Sequence, residues 1–162
     1  NFEAWEARQA AGIDDQQVAM SVFVQKAVDS TASGVMITRD PFDASRRYAT
    51  YIAAKRGIGI RVVEGKRVAE QILYNSRSKA VQVLNRSDDD IALQLDSKGG
   101  VREVPVAAGR AVLSDELVQR LARAGAGIKQ RFGSKDQDIE WAVQGNQVII
   151  LQSRPFISAP GR

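Results

Sequence analysis

Apolar residues in this chain fall mostly into short β-branched runs, separated by glycine, proline and small polar clusters. That is the signature of strands joined by turns. Val18–Gln25 is almost wholly apolar and reads as a strand buried on both faces, running on to Val28 before the polar stretch Asp29–Ser33. Gly34–Thr38 is the next strand, stopped by Arg39-Asp40-Pro41, and Tyr48–Ala54 the one after. Arg67–Tyr74, Ala80–Leu84, Ile91–Leu95 and Arg102–Val106 follow as short strands. Two stretches break this pattern. Residues 2–12 read as the tail of a helix ending at Gly12. Ser114–Phe132 carries an N-cap serine, acids in its first turn, bases in its last, and an apolar stripe of Leu117, Leu121, Ala124, Ile128 and Phe132. Gly125 and Gly127 weaken that helix but suit close packing on a sheet. The order of elements predicts an α+β fold with a largely antiparallel sheet and flanking helices.

The last strands carry the candidate chemistry. Gln137–Val143 and Gln147–Pro155 flank Gly145-Asn146, a hairpin pattern. Alternation puts Glu140 on one face of the first strand and groups Gln152 with Arg154 on the second. A two-residue turn sets Glu140 opposite Leu151; a three-residue loop sets it opposite Gln152. We adopt the second register, because it gathers a carboxylate, an amide oxygen and a guanidinium. Oxygen donors of this kind suit Mg²⁺, and the guanidinium suits a transferring phosphate. A simple solvated hairpin face, with an arginine closing the strand before Pro155, is the competing reading.

Composition narrows the chemistry. The chain has 162 residues and neither histidine nor cysteine, which excludes disulfides, thiolate metal sites, imidazole catalysis and a phosphohistidine within it. No apolar run reaches the roughly 18 residues of a membrane span, and no signal-peptide pattern is present, so a cytoplasmic location is the expectation. The net charge of +4 is concentrated in the middle: residues 39–86 carry eleven bases and four acids. Such a region suits a polyanion, but no aromatics interleave with it in a stacking pattern, so nucleic acid is not the expected partner. Gly57-Ile58-Gly59 opens like a dinucleotide fingerprint and fails at Val62, where a third glycine is required. Asp88-Asp89-Asp90 lacks calcium-loop spacing and is read as a solvated turn.

Taken together, Asp138-Ile139-Glu140-Trp141-Ala142-Val143 and Ile150-Leu151-Gln152-Ser153-Arg154-Pro155 resemble the closing motif of the nucleotide-binding domain shared by phosphoenolpyruvate synthase, pyruvate phosphate dikinase and rifampicin phosphotransferase. Val24–Val28 resembles that domain's hinge strand, Ser33–Pro41 the strand after it, and Gly57–Gly59 with Val62–Gly65 the next segment. The matches run in order from about residue 2 to residue 157.

The resemblance implies the second subdomain of an ATP-grasp domain over residues 1–158, with 159–162 as linker. It implies ATP and Mg²⁺ as ligands, Glu140 and Gln152 on the metal, Arg154 at the transferring phosphoryl group, and Gln25, Lys26, Ala27 and Val28 bordering the adenine. It also implies an ATP-dependent phosphotransferase whose first subdomain and phosphohistidine swivelling domain lie outside this chain, which alone would be inactive. Ile60 departs from the family's Gly-Leu-Gly-Glu turn. That departure favours an alternative, a degenerate interaction or regulatory domain on the same scaffold.

Overall fold

The structure, a computed structural model, describes residues 2–19, 21–59 and 68–157. Ile60, most of the glycine-rich segment after it, Arg61, Lys66, Arg67 and the terminal linker lie outside the described residues. The elements are α1 (Phe2–Ala10), a 3-10 turn (Asp15–Gln17), β1 (Ala32–Ile37), β2 (Ala49–Arg56), β3 (Glu70–Asn75), β4 (Val81–Asn85), β5 (Ile91–Leu95), β6 (Val101–Pro105), α2 (Asp115–Arg131), β7 (Gln137–Gln144) and β8 (Gln147–Pro155). Six strands form one antiparallel sheet in the order β4-β3-β2-β1-β7-β8, and β5 pairs with β6 separately. The α+β expectation with a largely antiparallel sheet is met.

Alternation sorts the sheet's side chains onto two faces. Met36, Ile52, Ile72, Tyr74, Ile139, Trp141 and Val143 pack under α2, against Val118, Leu121 and Ala122. Val35, Ile37, Ala49, Tyr51, Ala53 and Leu73 form a thinner apolar layer on the opposite face, which no helix among the described residues covers. Gly34 is where the core is tightest. It pairs with both Ala54 and Trp141, and a Cβ there would collide with the Ala53 carbonyl and lie 2.9 Å from the Trp141 ring. Gly125 plays the same part for α2, since a Cβ would stand 2.9 Å from Met36 Sδ.

Three expectations are corrected. The fully buried helix residues are Val118, Leu121, Ala122 and Gly125; of the expected stripe, Leu121 is buried and Leu117 and Ile128 pack partly buried on the core, whereas Phe132 is the C-cap and is exposed. The apolar periodicity fits either face, and Gly125 lets the helix settle closest on its own side. The described residues of 18–25 form no strand. Val22, Phe23 and Val24 are 82%, 85% and 87% exposed, because the segment has no ladder partner among the described residues. Nor is the aspartate triplet wholly solvated. Asp89 is buried and pairs with the buried Lys55, Oδ1 to Nζ at 3.5 Å, while Ser87 Oγ donates to its other oxygen at 3.2 Å. Lys55 sits on the uncovered face beyond Ala53, so the loop before β5 supplies the counter-charge that lets that end of the face close.

A second buried carboxylate sets the approach to α2. Glu70, fully buried on β3, accepts the backbone N–H groups of Val112 and Leu113 at 3.1 Å and pairs with Arg86 at 2.6 Å. Arg56 donates to the carbonyls of Ala107, Arg110 and Ala111. Between them these two side chains hold the chain so that Ser114 caps the helix on the Leu117 N–H.

Two outcomes follow for stability. Gly34→Ala should destabilise by about 3 kcal/mol through overpacking, whereas Gly127→Ala, with open space around it, should stabilise by up to about 1 kcal/mol; urea unfolding of both variants checks the pair. Asp89→Ala should cost about 3–5 kcal/mol by stranding the Lys55 charge, and the combined change Lys55→Met, Asp89→Leu should recover most of it.

Candidate functional site

β7 and β8 are joined by a two-residue turn pairing Gln144 with Gln147, and Gly145 takes φ 58°, as the first central residue of a type II′ turn requires. The three-residue loop is therefore corrected. Yet Glu140 does stand opposite Gln152, because the ladder shifts between Glu140 and Trp141: Trp141 pairs with Ile150 and Glu140 with Gln152, leaving Leu151 as the extra residue of a β-bulge. The bulge resolves a conflict of parity. Near the turn, Val148 is opposite Val143 and packs on the core under α2. Continued without interruption, that register would press Gln152 into the same core beside Ile139. One inserted residue returns Gln152 and Arg154 to the uncovered face.

Two cross-strand rows result on that face. One runs Ala53, Val35, Glu140, Gln152; the next runs Tyr51, Ile37, Asp138, Arg154. Ser153, pointing the other way, donates its hydroxyl to Gln137 Oε1 at 3.0 Å, and Gln137, fully buried, accepts no slack of its own: its N–H donates to Thr38 Oγ1 at 2.9 Å and its Nε2 to the Lys135 carbonyl at 3.0 Å. This polar clamp fixes β8 at the residue between Gln152 and Arg154.

Arg154 is held in a forked ion pair, Nε and Nη2 lying 2.9 and 2.8 Å from Asp138 Oδ2. The hydrogen bond it donates to Asp138, then the charges of Asp138 and Glu140, raise its pKa above the ordinary arginine value. Asp138 escaped the sequence reading, although the register that opposes Glu140 to Gln152 also opposes Asp138 to Arg154. Burial raises the pKa of Tyr51 in the same row. Glu140 and Gln152 make no side-chain hydrogen bond to another described residue, so both oxygen donors remain uncommitted.

Directly opposed cross-strand residues have Cβ atoms about 4.5–5.5 Å apart. An anionic carboxylate and an amide oxygen so placed fit a hard cation that keeps water or phosphate oxygens as its other ligands. Among the described residues there is no cluster of three or more acidic, histidine or cysteine side chains that would cage a metal by itself. Gln25, Lys26 and Ala27 are exposed and Val28 half-buried in the unpaired segment before β1. No hydrogen bond or ion pair joins them to Glu140, Gln152 or Arg154 among the described residues.

The family described as "Pyruvate phosphate dikinase, AMP/ATP-binding domain" matches residues 1–160, and the chain belongs to it. A probable phosphoenolpyruvate synthase of Archaeoglobus fulgidus is 33% identical over 147 residues, covering 90% of this chain and 19% of that protein. A rifampicin phosphotransferase of Streptomyces sviceus is 36% identical over 152 residues, 92% of this chain and 17% of its own length. A rifampicin phosphotransferase of Bacillus subtilis is 31% identical over 154 residues, with 92% and 17% covered. The chain thus spans less than a quarter of the length of the curated relatives it matches, from 13% to 22%. No helix among the described residues is long and apolar enough to cross a membrane.

Replacing Asp138 by Asn should leave the backbone amide pattern of Glu140 and Gln152 intact and speed solvent exchange of the Arg154 Nε–H severalfold. Nitrogen-detected NMR of the arginine side chains reads this directly; an unchanged exchange rate would mean that Asp138 does not hold the guanidinium.

Proposed function

We propose that this chain is the second subdomain of an ATP-grasp nucleotide-binding domain within a larger ATP-dependent phosphotransferase. The observation that carries the reading is the face-to-face placement of Glu140 and Gln152 by the Leu151 bulge, with Arg154 next on the same face. Glu140 and Gln152 would hold Mg²⁺, which when bound neutralises phosphate charge. Arg154 supplies permanent positive charge and forked donors toward the transferring phosphoryl group. Asp138 keeps that fork oriented along the strand. Gln25, Lys26, Ala27 and Val28 border the adenine through their backbone groups, on the segment leading into β1.

The exposed Val22-Phe23-Val24 run supports a two-part domain: a segment patterned for burial on both faces stands in solvent here, and the relatives have ample further chain to cover it. With half of the clamp and the phosphate carrier elsewhere, the chain alone binds but does not turn over. Its relatives are named for phosphoenolpyruvate synthesis and for phosphate transfer to rifampicin; here the acceptor would be chosen by the remaining domains.

The test is an NMR titration of the labelled chain with ATP and Mn²⁺. Paramagnetic broadening should centre on Glu140 and Gln152 and reach Arg154, with shifts at Gln25–Val28, and the double variant Glu140→Gln, Gln152→Ala should abolish the broadening. Broadening that persists in the double variant, or that centres elsewhere, would overturn the metal assignment.

A further inference from the structure

A second cavity lies away from the hairpin, at the end of the sheet where β2 begins and β3 ends. Its volume is about 480 Å³, and its walls include Arg46, Arg47, Tyr48, Tyr74, Asn75 and Gln82, with no carboxylate among the lining residues. β3 is four places from β8 in the sheet order, which at strand spacing is about 19 Å from the Arg154 strand. The volume falls within the range of roughly 300–1,000 Å³ that small-molecule sites occupy.

The charges around it are unequally committed. Arg46 is taken by Asp40 and Asp43, each at 3.3 Å. Arg47 has no side-chain hydrogen bond or ion pair among the described residues, and it also lines the adjoining cavity, where Arg39 and Lys129 stand with Asp40, Asp43 and Asp136. Arg77 lies over the Tyr48 ring, 5.7 Å from its centroid, while half of that ring stays exposed. Asn75 accepts the Arg77 and Ser78 backbone N–H groups through Oδ1, at 2.9 and 3.0 Å, which leaves its amide NH₂ as the free end. The pocket thus offers an amide donor and a guanidinium without a side-chain partner among the described residues, beside an aromatic wall.

We propose that this cavity is a separate binding site for a small planar ring bearing a phosphate. Arginine forks match phosphate oxygens, and flat rings pack on tyrosine and guanidinium planes. The chemistry differs from that of the hairpin face, which offers oxygen donors for a cation.

The probe is phenyl phosphate, titrated into the labelled 162-residue chain and followed by NMR, with inorganic phosphate and phenol as the two half-ligands. Saturable shifts at Arg47, Tyr48, Asn75 and Gln82 are expected with a Kd of about 1 mM or tighter. Each half-ligand should bind at least about tenfold more weakly, and Arg47→Ala or Tyr48→Ala, both at exposed positions, should cost the probe about tenfold. Arg154→Ala should leave probe binding unchanged. The proposal is overturned by an Arg47→Ala chain that binds as before, by inorganic phosphate binding as tightly as the probe, by shifts that follow Arg154 instead, or by no saturation up to about 10 mM.

Discussion

Everything on the uncovered face depends on one parity constraint in β8. The strand must bury Val148 beneath α2 near the turn and still show Gln152 and Arg154 on the other side eight residues into the hairpin's ladder. A regular antiparallel ladder cannot do both, because side chains alternate strictly. The extra residue at Leu151 satisfies both demands. Bulges are stable where the core holds each side of them in place. Here Val148 is anchored in the core on one side of the insertion, and Ser153 is anchored to Gln137 on the other.

The remaining polar machinery is mostly scaffolding for that face. Glu70 and Arg56 tie down the segment before α2, Lys55 and Asp89 close one end of the uncovered face, and Thr38 with Gln137 fixes the start of β7. The basic middle of the chain therefore serves the fold more than a polyanion: Arg46, Lys55, Arg56, Arg77 and Arg86 all have intramolecular partners. Arg47 stands apart from them, which is what draws notice to the cavity it lines.

The bare Val22–Val24 segment has a physical reason. A run patterned for burial on both faces is stable only between neighbours, and the described sheet offers it none. The apolar layer around Tyr51 and Leu73 lies on the same side as Glu140 and Gln152, so the face proposed to meet nucleotide is also the one on which the described residues form no second layer.

Local pattern alone determined most of the secondary structure: β5, the limits of α2 and its Ser114 cap are all readable from residue order, because propensity, capping and periodicity act over a few residues. It also singled out Glu140, Gln152 and Arg154 as the hairpin's candidate residues, though not Asp138. Tertiary structure decided the rest. Which helix face is buried depends on where Gly125 meets Met36; whether Asp89 is solvated depends on Lys55, distant in sequence; whether residues 18–25 form a strand depends on neighbours to pair with. The opposition of Glu140 and Gln152 was expected for the wrong reason, a longer loop, since turn length is local whereas a bulge is placed by what both faces of the sheet must bury.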